Sequence, residues 1–352
     1  MIDVHVHLRD GIQRDKETVL HGMLSAAQCG ITALFDMPNT VPTLTSERAV
    51  RDRLALGDAA VDALRRSRNS DMFYGVYGGV TAEANQVREI VSTYRELFPR
   101  VVGLKLFAGH STGSMGLLEV DQQQHVYEIL TDSEYDGVLA IHCEKESYMH
   151  PELWNLKHPE SHGSARPAEA EIESVRDQIM LAQRTGFTGT VHICHISTAQ
   201  SVALVCNARN EGLKITCGAT AHHALLDDTI ASTPGHLMKM NPPLRSSADR
   251  EAIFSGLYNG EIDWIESDHA PHTRADKAAG ASGIPGFAGT ALLIQALRNA
   301  GIEESQLQRL CGIRATEVFA LDLPVHVPSN RNLAAALPAL RSAYPWDPFS
   351  TL

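Results

Sequence analysis

The 352-residue chain has no CxxC pair, no long unbroken apolar run, no low-complexity tract and no stretch rich in lysine or arginine. Each absence removes a class of protein. Its six cysteines (Cys29, Cys143, Cys194, Cys206, Cys217 and Cys311) are scattered, which fits neither a zinc ribbon nor a disulfide framework. They read as reduced thiols used in packing. Cys143 and Cys194 each adjoin a histidine, but neighbours on a strand face opposite ways, so both are assigned to packing. No segment approaches the roughly 20 apolar residues of a membrane span. The opening MIDVHVHLRD is too polar for a signal peptide, and the expectation is a cytoplasmic protein. With 30 basic against 42 acidic residues the formal charge is -12, which argues against nucleic acid or an anionic membrane as partner. An anionic small molecule would have to be held by a few local cations against that field.

What is present is ordinary globular material: 43% hydrophobic and 20% charged residues, enough for a large core. Short β-rich runs alternate with longer amphipathic ones. Strands are expected at Ile2–His5, Ile31–Asp36, Met72–Tyr77, Val102–Phe107, Val138–His142, Thr190–His195, Lys214–Ala219 and Ile262–Ser267. Most are rich in Val, Ile, Leu and Phe, as strands buried on both faces must be. Helices are expected between them, among others at Lys16–Cys29, Ser46–Arg68, Ala82–Phe98, Pro167–Thr185 and Thr198–Glu211. The alternation points to a closed (β/α)8 barrel, a TIM barrel, formed by residues 1–352 as one domain. The Gly/Ala-rich stretch Ala275–Gly289 reads as a loop over the barrel mouth. Residues 324–352 read as a C-terminal extension packed on the outside.

The polar residues fall in a telling place. His5 and His7 end the first strand, and residues two apart project to the same side. Lys105 sits within the apolar fourth strand, His142 ends the fifth, His195 ends the sixth, and Asp268 follows the eighth. A single histidine at a strand end is more often a hydrogen-bonded structural residue. A lysine inside an apolar strand is different, since a buried ammonium must find a carboxylate or cease to be an ammonium. Six such groups at one end of one barrel, where this fold keeps its active sites, favour the functional reading.

Imidazoles and carboxylates suit zinc or a similar divalent ion. Four histidines and an aspartate exceed one open tetrahedral site but fit two adjacent metals joined by a further anion. Lys105 carboxylated on its Nζ by CO2 would supply that bridge. Two such ions hold a bridging hydroxide and polarise a carbonyl, and Asp268 can ligate and also carry a proton as general acid and base.

Several motifs follow one another in order: DVHVHLRD, FDMPNT, GLKLFAGHSTGSM, AIHCE, CHISTAQS, CGATAHHALLDD, KMNPPLRSSADRE, ESDHAPH and GIPGFAGT. Together they resemble the dihydroorotase family of the amidohydrolase superfamily, from Met1 to about Leu321. The resemblance implies reversible hydrolysis of L-dihydroorotate to N-carbamoyl-L-aspartate in pyrimidine synthesis. It implies that His5, His7, Lys105 and Asp268 hold one metal, and His142 and His195 the second, with carboxylated Lys105 bridging. It implies that Arg9 grips the substrate carboxylate, and that Asn39, Asn241 and His272 contact substrate. Ser111 and Thr112 in GHSTGSM would contact it from a cover. Arg245 reads equally well as a surface ion pair, and His222 and His223 as hydrogen-bonded structural residues. Many relatives carry a β-sandwich beside the barrel; here no sandwich segment is evident. A homodimer is left open.

Allantoinase and dihydropyrimidinase open related rings with the same metal core, and a cation for the ring carboxylate separates them. Arg9 favours dihydroorotate, because a ring without a carboxylate leaves a buried guanidinium unpaired. A non-catalytic barrel that scaffolds a partner enzyme is the reading from another class, and such barrels usually lack metal ligands that this chain retains.

Overall fold

A computed structural model of the chain describes residues 1–68, 70–110, 115–230 and 235–352. Eight parallel strands run in sequence order around a barrel: β1 Ile2–Val6, β2 Ala33–Asp36, β3 Phe73–Gly79, β4 Val101–Ala108, β5 Val138–Cys143, β6 Thr190–Ile193, β7 Ile215–Ala219 and β8 Trp264–Ile265. Helices cross between them, among them Val19–Gln28, Glu47–Arg68, Ala84–Leu97, Val120–Asp132, Ala168–Thr185, Ala199–Asn210 and Ser247–Asn259. The expected TIM barrel is thus the observed architecture, and the described residues contain no β-sandwich. No described helix is long and apolar enough to cross a membrane.

The eighth expected strand shrinks to two residues, because the chain after Ile265 leaves the ladder to supply polar groups to the interior. Closure is completed by a parallel bridge between Val6 and His269, with the His7 N–H donating to the His269 carbonyl at 2.8 Å. The Asp3 carboxylate adds to this by accepting from Ser267 N at 3.1 Å.

Two apolar layers follow from strand alternation. One face of each strand meets the helices, as with Val6, Leu34, Val76, Leu104, Leu139 and Ile193. The other fills the barrel, where Ile2, Val4, Phe35, Tyr77, Val102, Ala140 and Trp264 pack with Phe319 from the chain after the last barrel helix. This apolar plug occupies the lower barrel, and the polar groups sit above it.

The C-terminal segment lies against the barrel wall. Its helix Asn330–Ser342 packs on Phe287–Asn299, and the Tyr344 hydroxyl donates to buried Glu17 at 2.6 Å. Gly289 allows this approach, since a Cβ there would stand 2.2 Å from the Phe349 ring.

Candidate metal centre

A single pocket at the carboxyl ends of the strands is lined by His5, His7, Arg9, Asn39, Lys105, Phe107, His142, His195, Asn241 and Asp268, with Ala270, Ser282 and Gly283. All six expected metal ligands therefore meet. Only His142 gets there by plain alternation, following Val138 and Ala140 on the inward face of β5. The others need a break in the two-residue period. On β1 an extra residue lies between Asp3 and Val6 relative to β2, so inward Val4 is followed by inward His5 and His7. On β4 an extra residue at Val102 does the same, turning Lys105 and Phe107 inward. His195 and Asp268 are turned inward by left-handed backbone, φ 35° and 46°. Bulges and positive φ at non-glycine residues cost free energy and cluster where a side chain must be re-aimed.

The hydrogen bonds fix how the imidazoles face. His142 Nε2 lies 2.8 Å from the Glu144 carboxylate and must donate to it, leaving Nδ1 bare 3.1 Å from His195 Nε2. His7 Nδ1 faces the Asn39 carbonyl oxygen at 2.7 Å, and His7 Nε2 lies 3.2 Å from His5 Nε2 and 3.0 Å from Asp268 Oδ1. His5 turns its Nδ1 to Glu266 at 3.5 Å. In His142 and His7 an outer acceptor takes one nitrogen and the other points to the centre, the arrangement expected of metal-binding histidines, while His5 Nδ1 faces Glu266 without a hydrogen bond among the described residues. His5, His7 and Asp268 offer three donor atoms within 4.8 Å of one another. Buried nitrogens converging with so few protons between them are a poor resting state without a cation, and the donor set fits divalent metal.

Charge is managed accordingly. Burial pushes the Asp268 carboxyl up, but the His7 hydrogen bond and the charges of His5 and His7 outweigh it and hold it well below the usual range. Burial and neighbouring His142 and His5 keep His195 neutral. Burial also opposes the charge on Glu144, and Arg166 with His142 reverses that, so it stays a carboxylate.

Lys105 is fully buried and makes no ion pair with a carboxylate among the described residues. Its Nζ donates to Cys194 Sγ at 3.0 Å and stands 5.0 Å from the centre of the Phe107 ring. This corrects the assignment of Cys194 to outward packing. Cys194 faces the interior by ordinary alternation, with His192 inward and Ile193 outward before it, and the positive φ at His195 turns that residue inward as well. Burial would raise the Cys194 thiol, yet Lys105, His5 and His192 hold it well below its ordinary value. His5, Cys194 and Glu266 form a second convergent trio just beneath the first. Cys143, in contrast, faces the helices as expected.

The residues expected to touch substrate divide. Arg9, 3% exposed, lines the pocket, and its Nε has no hydrogen-bond partner among the described residues. Asn39 and Asn241 line it too. His272 lies one layer back, near the backbone of Gly283, with its Nε2 unpartnered among the described residues. Ser111 and Thr112 fall outside the described residues. Arg245 is not a surface residue: it is buried and donates to Ser197 Oγ and the Arg166 carbonyl. His223 is hydrogen-bonded as expected, whereas neither ring nitrogen of buried His222 has a hydrogen-bond partner among the described residues.

Sequence reasoning passed over Glu144 and Glu266. Each lies two residues from an expected ligand (His142, Asp268), and that spacing was a usable signal. Glu266 lies at hydrogen-bond distance from His192 Nε2, accepts from Trp264 Nε1 and the His195 N–H, and faces His5 Nδ1 at 3.5 Å. Gly218 on β7 makes room for it, since a Cβ there would stand 2.4 Å from Glu266 Oε2.

No family model matches the chain. Among curated proteins it is similar to the dihydroorotase of Halobacterium salinarum, 32% identical over 339 residues, covering 94% of this chain and 74% of the relative. The dihydroorotase of Lactiplantibacillus plantarum is 31% identical, over 91% of this chain and 72% of the relative. That of Methanosarcina mazei is 30% identical, over 92% and 70%. Among solved structures, L-hydantoinase (dihydropyrimidinase) from Arthrobacter aurescens superposes with TM-score 0.76 at 22% identity, over 91% of this chain and 70% of that one. D-hydantoinase from Thermus sp. gives 0.73 at 22%, over 90% and 70%. At those identities the structural likeness speaks for the barrel alone.

Proposed function

The chain belongs to the dihydroorotase family of the amidohydrolase superfamily, and from that premise we propose that it interconverts L-dihydroorotate and N-carbamoyl-L-aspartate, a step of pyrimidine synthesis. The observation that carries the substrate is Arg9, a buried guanidinium without an ion-pair partner among the described residues, lining the same pocket as His5, Lys105 and Asp268. A buried cation in that state calls for an anionic ligand, and a carboxylate fits its fork with two parallel hydrogen bonds. Hydantoin and dihydrouracil carry no such group.

In this reading His5, His7 and Asp268 hold one divalent ion, His142 and His195 the other, and Lys105, carboxylated on Nζ, is the anionic ligand between them. Zinc suits the donor set. Divalent ions held by these residues would supply Lewis acidity toward the scissile carbonyl and a water activated for attack at neutral pH. The buried, carboxylate-free surroundings of Lys105 support carboxylation, which would place a ligating anion where no carboxylate among the described residues reaches. Arg9 fixes the ring by its carboxylate, and Asn39 and Asn241 orient it from the rim, with His272 backing the Gly283 wall. Asp268, held as a carboxylate, would take on one carboxylate oxygen the proton that the attacking water loses and return it to the ring nitrogen as the C–N bond opens. In the reverse direction it removes the proton from that nitrogen. The reading takes 1–352 as one hydrolase unit, with 324–352 supporting the barrel wall through Tyr344 and Glu17.

The test is the ultraviolet absorbance of L-dihydroorotate incubated with purified zinc-loaded protein, with hydantoin, dihydrouracil and allantoin in parallel. Preferential loss of L-dihydroorotate is expected. Preference for another ring would overturn the substrate, and no turnover of any ring would overturn the catalytic reading.

A further inference from the structure

We propose that His162 is a positioning residue that fixes which way the Asn241 amide faces, so that the pocket is offered its NH2 group and selects a substrate with an oxygen acceptor at that point. The identity of that acceptor, a ring carbonyl or carboxylate oxygen, rests on the function proposed above.

His162 Nε2 lies 2.9 Å from the Met240 carbonyl oxygen and 3.0 Å from Asn241 Oδ1. A carbonyl oxygen has only lone pairs, so the proton of this contact must sit on Nε2. An Nε2–H that is already a donor can meet only an acceptor on Asn241. The amide oxygen must therefore face His162, and the NH2 group must face away. Amide orientation is ordinarily ambiguous, but here a backbone carbonyl settles the tautomer and the tautomer settles the amide. Protonation of the second ring nitrogen would leave this logic unchanged, since Nε2 donates in both forms.

Asn241 lines the pocket that holds His5, Lys105 and Asp268. Its Nδ2 donates to no group among the described residues, so the NH2 faces the pocket with its hydrogens unused. His162 belongs to the short helix Ser161–Ala165, carried by the loops after β5, whereas Asn241 follows β7. The bond spans 79 residues of sequence and ties two rim loops together. His162 is itself held: it is 7% exposed and the Trp154 ring packs edge-on against it at 5.3 Å. Burial, with Lys239 nearby, lowers its pKa to about 3, so it stays a neutral imidazole with a single N–H through the working range. Lys239, 4.6 Å from the centre of the Trp154 ring, closes the same corner.

An acceptor meeting this NH2 gains one hydrogen bond in a partly buried site. A group that is itself a donor meets two hydrogens instead. The selectivity thus arises from a residue that need not touch substrate.

The experiment uses the full-length, metal-loaded protein with His162→Leu, which removes the donor, and His162→Gln, which keeps an N–H. For His162→Leu, KM for L-dihydroorotate should rise about tenfold, the worth of one hydrogen bond to a charged or strongly polar group, with kcat little changed. Metal content should stay as in the parent, and His162→Gln should recover most of the loss. In parallel, nitrogen-15 spectra of labelled histidine should show the His162 signal, identified by its absence in His162→Gln, as the Nε2–H tautomer. An Nδ1–H tautomer would overturn the proposal, as would an unchanged KM in folded His162→Leu. A matched fall in kcat with loss of metal would make His162 a merely structural residue and overturn it too. If His162→Leu does not fold, the tautomer and His162→Gln still decide. If the parent does not turn over L-dihydroorotate, the proposed function fails, and the tautomer still judges His162 by itself.

Discussion

Glu144→Gln is the most informative single perturbation of the centre. Glu144 is fully buried, accepts His142 Nε2–H at 2.8 Å, and forms an ion pair with Arg166. Two effects separate. Stability falls because the Arg166 guanidinium loses its counter-charge; a fully buried orphan would cost about 3–5 kcal/mol. Arg166 is 13% exposed and glutamine still offers one oxygen, so the expected cost is about 2–3 kcal/mol, or roughly 3–4 °C in Tm for a chain this long. Metal affinity falls because a neutral amide no longer fixes the His142 tautomer or raises its basicity, which costs about 10–100-fold at the site that includes His142 and His195. The trio His5, His7 and Asp268 does not touch Glu144 and should keep its ion. The assay is metal content by mass spectrometry after dialysis against graded chelator, beside thermal unfolding. One ion per chain should be lost at a chelator concentration that leaves the parent with two. The double variant Glu144→Gln/Arg166→Met removes the orphan charge, so Tm should recover while metal affinity does not. Refutation would be parallel recovery of both quantities, or a single variant that retains two ions as tightly as the parent.

Lys105→Ala should lose the second ion and activity together, with partial rescue by short carboxylic acids; a variant that keeps two ions would sink the bridging role. Arg9→Met should lower kcat/KM for L-dihydroorotate by about 10²–10³, from about 3–4 kcal/mol of charge-assisted bonding. Equal losses on hydantoin and dihydrouracil would remove Arg9 from carboxylate recognition. On the acid side, stability should fall as pH drops below about 6.5, the unfolded imidazole value. Burial lowers His162 to about 3, His222 to about 4 and His272 to about 3 in the fold, so the unfolded chain takes up protons that the folded chain refuses. Tm of the metal-free protein between pH 7 and 4 tests this, and a flat profile would contradict it.

The glutamates at the centre were legible only in part. His142 and Glu144 share a strand face by simple alternation, so AIHCE carried the signal that the second residue could orient the first. His162 left no such trace, because its partner lies 79 residues away and the contact depends on how two rim loops meet. Arg245 looked like surface charge because a sequence shows residue type and not depth. Burial comes from the neighbours, and here Ser197 and the Arg166 carbonyl receive it.

The sequence by itself determined the strands, their order and the six polar residues at their ends. Those depend on local composition and on alternation of apolar runs, which each segment carries alone. It did not determine how five of those six turn inward. His5, His7 and Lys105 face the barrel because β1 and β4 each carry one residue more than their neighbours allow, and His195 and Asp268 because their backbones are left-handed. Cys194 faces inward by plain alternation with His192, and only the left-handed turn at His195 brings the next residue to the same side. A bulge is a mismatch between two strands, and strained backbone persists only where surrounding contacts over-determine it. Both are properties of paired and packed segments, so they come into being only with the closed barrel.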